Sequence, residues 1–166
     1  LHDTQAASLT AIDVRTGSVK WRREFLGHLE ETAAFDSGKN RMWVSAGPGG
    51  LWALNANDGH VLWHQTPGHI DSQALVTKGA IYVPAQPDES KPESAFFALD
   101  RVSGKILWSL KQPGQPWGSP ILDKTGSVIL TTTGMGQIGV TKSTDAGWAQ
   151  AISTTGKQIW QVSLPG

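Results

Sequence analysis

Four times along this chain a glycine is followed four residues later by a tryptophan, each time behind an alanine, an aliphatic residue and a short polar turn. The copies run from Ala11-Ile12-Asp13 to Gly17 and Trp21, and from Ala53-Leu54-Asn55 to Gly59 and Trp63. They continue from Ala98-Leu99-Asp100 to Gly104 and Trp108, and from Ala151-Ile152-Ser153 to Gly156 and Trp160. Successive tryptophans lie 42, 45 and 52 residues apart. A rigid unit recurring over an elastic period of about 40–45 residues marks a propeller or a stacked array. The architecture is therefore constrained before any single residue is given a role.

Each copy reads as a β-hairpin. In the second, Leu51–Leu54 and His60–His64 flank a turn, Asn55-Ala56-Asn57-Asp58-Gly59. The Asn or Asp closes an Asx-type turn, and the glycine supplies the positive φ that a short hairpin loop needs. Two more strand candidates precede each later hairpin. These are Glu31–Phe35 with Arg41–Ser45, Ser72–Val76 with Ala80–Val83, and Ser119–Leu122 with Ser127–Thr132. Short strands at even spacing, glycine-rich turns and no helical periodicity predict an all-β fold. Four antiparallel strands per unit make a propeller blade.

With strands named A to D from the axis outward, the repeated hairpin is C–D. The chain then supplies two strands and three sets of four, about three and a half blades. The divisions fall at residues 1–25, 26–67, 68–113 and 114–166. Such an assembly leaves open sheet edges. We expect a larger ring of seven or eight blades, completed by another segment, another chain or a second copy of this one.

Composition narrows the function classes. Fourteen basic residues balance fourteen acidic ones, and no cluster of lysine and arginine exceeds Lys20-Trp21-Arg22-Arg23. A phosphate-binding surface needs a concentrated positive field, so nucleic acid is not the expected partner. No apolar run is long enough to span a bilayer as a helix. Cysteine is absent, which removes disulfides, thiolate metal sites and cysteine nucleophiles together.

The Ala-x-Asp-x-x-x-Gly-x-x-x-Trp pattern resembles the tryptophan-docking repeat of the pyrroloquinoline quinone (PQQ) enzyme-like propellers. The first three copies fit it, and the fourth has Ser153 in place of Asp, so a looser turn is expected there. The resemblance implies that each tryptophan packs between its own motif's alanine and the peptide at the next motif's glycine. On that reading Trp21, Trp63, Trp108 and Trp160 are structural. It also implies two kinds of relative, quinone-dependent dehydrogenases and cofactor-free assembly or scaffold proteins. The dehydrogenases hold the quinone and Ca²⁺ or a lanthanide above the ring axis. They use Glu and Asn ligands, an Asp base, a stacking Trp and often a vicinal Cys pair. That set cannot be matched here by motif, and no cofactor or metal site is predicted. The expectation is a non-catalytic binding or scaffold segment, periplasmic or extracellular. The alternative is a fragment of a quinone-dependent alcohol or sugar dehydrogenase.

If a site exists, the B–C and D–A connections are the place to look. The C–D turns hold their length while the B–C loops stretch, and variable loops on a rigid scaffold carry binding. On the same face Gly27-His28-Leu29-Glu30 and Gly68-His69-Ile70-Asp71 repeat one pattern, and Gly114-Gln115-Pro116-Trp117 takes the third place. These segments lead into the innermost strands, so His28, Glu30, Glu31, His69, Asp71 and Trp117 are the candidate funnel lining. Imidazoles and carboxylates there can coordinate a metal or relay protons, but no ligand spacing is diagnostic, and the favoured reading is that His and acid decorate a repeated turn. Gly134-Met135-Gly136-Gln137-Ile138-Gly139 spells a dinucleotide fingerprint, but the β-branched residues after it give no helix N-terminus for a pyrophosphate. Met135 and Ile138 stand out there as apolar residues that can cap the channel or meet a partner. No nucleophile elbow or ordered triad supports a hydrolase.

Overall fold

A computed structural model describes residues 6–86, 93–116, 118–134 and 147–164, and all regular structure in them is β-strand. The first sheet pairs β1 (Ala6–Ile12) with β2 (Val19–Leu26). Three four-stranded sheets follow, each antiparallel and in chain order. They are β3 (Ala34–Asp36), β4 (Arg41–Ser45), β5 (Leu51–Asn55) and β6 (Val61–Gln65); β7 (Leu75–Val76), β8 (Ala80–Ala85), β9 (Ala95–Asp100) and β10 (Ile106–Lys111); and β11 (Ile121–Leu122), β12 (Val128–Thr133), β13 (Gly147–Ser153) and β14 (Gln158–Leu164). This is part of a β-propeller, with three full blades and the outer hairpin of another. The A strands are shorter than their apolar stretches predict, at two or three residues. Residues 31–33 and 72–74 run on toward β3 and β7 without strand pairing.

The core lies in the gaps between blades. Phe25, Val44 and Leu54 fill the first gap, Trp43, Leu51, Ile81, Val83 and Leu99 the second, and Tyr82, Phe96, Ile129 and Ile152 the third. Alternation within a strand explains this division. Ile81 and Val83 face the second blade while Tyr82 between them faces the fourth. Every residue of β8 is consequently buried, because neighbours cover both faces of its sheet. Every residue of β14, the outer strand of the fourth blade, is exposed.

The repeated motif closes each blade onto the next. Within a hairpin, alanine and tryptophan are direct cross-strand partners: Ala11 with Trp21, Ala53 with Trp63, Ala98 with Trp108 and Ala151 with Trp160. A register shift beside each pair leaves one residue of the D strand unpaired, which sharpens the local twist. Between hairpins, a Cβ placed on Gly59 would lie 2.6 Å from the Trp21 ring. On Gly104 it would lie 2.7 Å from Trp63, and on Gly156 2.7 Å from Trp108. The indole N–H groups of Trp21, Trp63 and Trp108 donate to the carbonyls of Ala56, Arg101 and Thr154 in the next turn, at 3.0, 3.2 and 3.2 Å. Gly17, by contrast, has open space where a Cβ would stand, and Trp160 is 46% exposed.

The turns close as their residue types dictate. Asp13 Oδ1 accepts from the amides of Arg15 and Thr16, and Asp100 Oδ1 from those of Val102 and Ser103. The fourth turn has one residue fewer between its polar residue and its glycine. There the Ser153 hydroxyl accepts from the Lys157 amide at 3.0 Å, and the Gly156 amide donates to the Ser153 carbonyl at 2.9 Å. A short hydroxyl replaces the longer carboxylate across a shorter loop, so the turn is compact rather than loose.

Candidate functional site

The B–C and D–A connections come together at one end of the molecule, tied by backbone pairs outside the blades. Gly47, in the second blade's B–C loop, exchanges two hydrogen bonds with Ile70, in the connection to the third blade, at 3.0 and 3.1 Å. His69 pairs in the same way with Gln86, and Gln115 with Gly134. The connection that carries His69 and Asp71 is thus held by backbone on both sides, which fixes where their side chains start.

Those three side chains meet. His28 Nε2 lies 2.9 Å and His69 Nε2 2.7 Å from the same oxygen, Asp71 Oδ1. The other oxygen, Oδ2, accepts from the Gln86 side-chain amide at 3.0 Å. The imidazole rings face each other at a tilt, with centroids 5.1 Å apart. Gly47 makes room for the cluster: with φ of +51°, it lies so close to His28 that a Cβ would stand 2.7 Å from Nε2. The Asp71 side chain is only 8% exposed, while each histidine side chain is 25% exposed. Solvent therefore reaches part of each imidazole but hardly the carboxylate.

Burial works against the charge on Asp71, but the hydrogen bonds from His69 and His28 outweigh it and hold its pKa below the ordinary value of 3.8. A carboxyl group with a lowered folded-state pKa stabilises the fold above its unfolded pKa and loses that contribution as pH falls through the folded one. Wild type and Asp71→Asn should differ most in urea midpoint at about pH 5–7, and the gap should narrow as pH falls below the ordinary carboxyl value of 3.8. A gap that stays constant to pH 2.5 would show that the aspartate's charge is not what the cluster uses.

Of the other candidates, Glu30 Oε1 lies 3.8 Å from His28 Nε2 on a side chain 59% exposed, at the mouth of the cluster. Glu31 is exposed. Trp117 lies outside the described residues, as do Met135, Ile138 and most of the glycine-rich loop from Gly134 to Gly139. Sequence reasoning missed Gln86 and Gly47. Gln86 sits in a long polar loop without a motif, and Gly47 is one of several loop glycines; only the fold puts them against Asp71 and His28.

The opposite end carries an open groove of about 1050 Å³ among the A–B and C–D turns of the last three blades. Its lining includes Asp36, Lys78, Tyr82, Arg101 and Thr125. Asp36 and Arg101 are already spent on each other across two blades. Tyr82 donates to the Thr154 carbonyl at 3.3 Å, and burial raises its pKa. The groove offers volume, but the convergent titratable groups are at the other end, and chemistry follows the groups rather than the volume.

Residues 5–166 match the family model described as "Outer membrane protein assembly factor BamB". Outer membrane protein assembly factor BamB of Shewanella oneidensis is 26% identical over 159 residues, covering 86% of this chain and 39% of that protein. Polyvinylalcohol dehydrogenase of a Pseudomonas species is 32% identical over 125 residues, covering 68% of this chain and 18% of that protein. A europium-containing methanol dehydrogenase superposes with a TM-score of 0.77 at 15% identity, over 95% of this chain and 38% of its own. The chain thus spans well under half the length of each, and the last likeness concerns fold alone.

Proposed function

Since the chain belongs to the PQQ-like propeller family whose model is described as outer membrane protein assembly factor BamB, we propose that it serves as a scaffold segment in envelope protein assembly. The observation that carries this reading is the family match from residue 5 to residue 166. The chemistry of the loop end supports it. The calcium and quinone implied by the dehydrogenase resemblance require a hard-cation site, and calcium takes six to eight oxygen ligands. The inward-facing groups of the cluster are two imidazoles and one carboxylate, with Glu30 at the mouth. They do not fit that cofactor, and no redox step is derived from them.

Protein partners would be met at the loop end, where the rigid backbone pairs present the B–C loops, and along strand edges open to β-augmentation. No helix among the described residues is long and apolar enough to cross a membrane. A periplasmic or extracellular place follows from the scaffold reading. The test is capture of outer-membrane protein assembly components by the purified protein from solubilised envelopes, with envelope β-barrel levels measured after depletion of the protein. Specific capture and reduced barrel levels are expected; neither occurring would overturn the proposal.

The polyvinylalcohol dehydrogenase relative favours a second reading, part of a quinone-dependent dehydrogenase. Adding the quinone with Ca²⁺ and following dye reduction with alcohols and sugars separates the two. Saturable, metal-dependent turnover would sink the scaffold reading.

A further inference from the structure

We propose that His28, His69 and Asp71 form a binding site for a divalent transition-metal ion of the zinc class, which clips two successive inter-blade connections together. Each residue offers one donor atom, and the three atoms lie within 4.8 Å of one another. Both histidines present the same ring nitrogen, Nε2, to one carboxylate oxygen. Two imidazoles from separate inter-blade connections converge on one carboxylate oxygen, a meeting that neither turn needs for its own closure. In the metal-free protein, Nε2 protons fill the space between the donors.

The surroundings have the features of a metal site. Gln86 holds Asp71 by Oδ2, which leaves Oδ1 directed at the histidines, the outer-shell orientation that ligating carboxylates need. Gly47 gives the His28 ring its place, and the backbone pairs of Gly47 with Ile70 and His69 with Gln86 fix the connection that carries His69 and Asp71. Tetrahedral zinc with bonds of about 2.0–2.1 Å separates its ligand atoms by roughly 3.3 Å. The present separations of 2.7 and 2.9 Å are those of proton-bridged pairs. Loading would open each by roughly half an ångström and draw the two nitrogens, which lie within 4.8 Å of each other, toward the same spacing through rotation of the partly exposed rings. The displaced Nε2 protons move to Nδ1 or leave to solvent. Water or Glu30, at the exposed mouth, completes the coordination.

The donor set also selects the ion. Imidazole with a single carboxylate suits Zn²⁺, Ni²⁺, Co²⁺ or Cu²⁺, whereas Ca²⁺ and Mg²⁺ call for more oxygens. This inference is independent of the scaffold reading and holds for either kind of relative.

Isothermal titration of untagged, chelator-stripped protein with ZnCl₂ tests it. One Zn²⁺ per chain is expected, unaffected by millimolar Ca²⁺, with a rise in melting temperature. His69→Ala and Asp71→Asn should each weaken binding at least about 100-fold, and Gln86→Ala about 10-fold through lost orientation. Zinc affinity that is unchanged by His69→Ala would overturn the proposal. Should those variants fail to fold, X-ray absorption of the zinc-loaded wild type decides. Two imidazole nitrogens on the metal are expected, and one or none would refute the site.

Discussion

Gly104→Ala should destabilise the protein by about 3 kcal/mol, lowering the urea midpoint by about 1–2 M. Two costs combine at this position. Gly104 has φ of +72°, where an L side chain is strained by about 1 kcal/mol. Its new methyl would also stand 2.7 Å from two carbons of the Trp63 ring, closer than carbon atoms approach. Trp63 cannot easily yield. Ala53 lies across the strand from it, its indole N–H is held by the Arg101 carbonyl, and it is 9% exposed. Overpacking of this kind typically costs about 1–3 kcal/mol. Two other glycines separate the terms. Gly126 has φ of +70° with nothing near a Cβ, so Gly126→Ala should show the backbone cost alone, about 1 kcal/mol. Gly79 has open space and no positive φ, and Gly79→Ala should be close to neutral. Equal losses at Gly104 and Gly126 would mean that the tryptophan contact contributes nothing to holding the blades.

That contrast also shows what a sequence can carry. Gly17, Gly59, Gly104, Gly126 and Gly156 all have φ between +70° and +87°, as turn chemistry requires. Spacing to the next tryptophan identifies the hairpin glycines among them, and the blade count follows from the same spacing. The loop-end cluster was legible only in part. His28, His69 and Asp71 stand out because Gly-His-aliphatic-acid occurs twice, but the two copies do not play equal parts. The acid of the second copy takes both histidines, while Glu30 of the first stays in solvent. Such asymmetry comes from how consecutive blades are rotated about the axis, and nothing in the local sequence encodes it. Gln86 lies 15 residues from Asp71 and Gly47 lies 19 from His28, separations set by strand lengths and loops rather than by a motif.

The second large effect concerns a charge pair that no repeat announces. Arg101, in the third blade's C–D turn, reaches inward to Asp36 at the end of β3 in the second blade. Its Nη1 donates to the Thr77 carbonyl at 2.6 Å, and its guanidinium lies 5.3 Å from the centroid of the Trp43 ring, which is buried. The two charged side chains are 16% and 25% exposed. Removing one member of a largely desolvated pair leaves the other without its counter-charge, at a cost of about 3–5 kcal/mol when burial is complete. With the residual exposure here, Asp36→Ala should cost about 2–3 kcal/mol. Arg101→Met keeps an apolar stem over Trp43 and removes the charge, and should cost about 1 kcal/mol, since the Asp36 carboxylate retains the Gly38 amide at 3.0 Å and some solvent. The double variant should then be more stable than Asp36→Ala alone, because it no longer buries an unpaired guanidinium. Urea unfolding of the four proteins measures the coupling, expected at about 1–2 kcal/mol. Strict additivity would show that Arg101 is held by Thr77 and Trp43, with Asp36 a bystander. A coupled result would make this pair a second inter-blade fastening, on the axial side and at the opposite end from the histidine cluster.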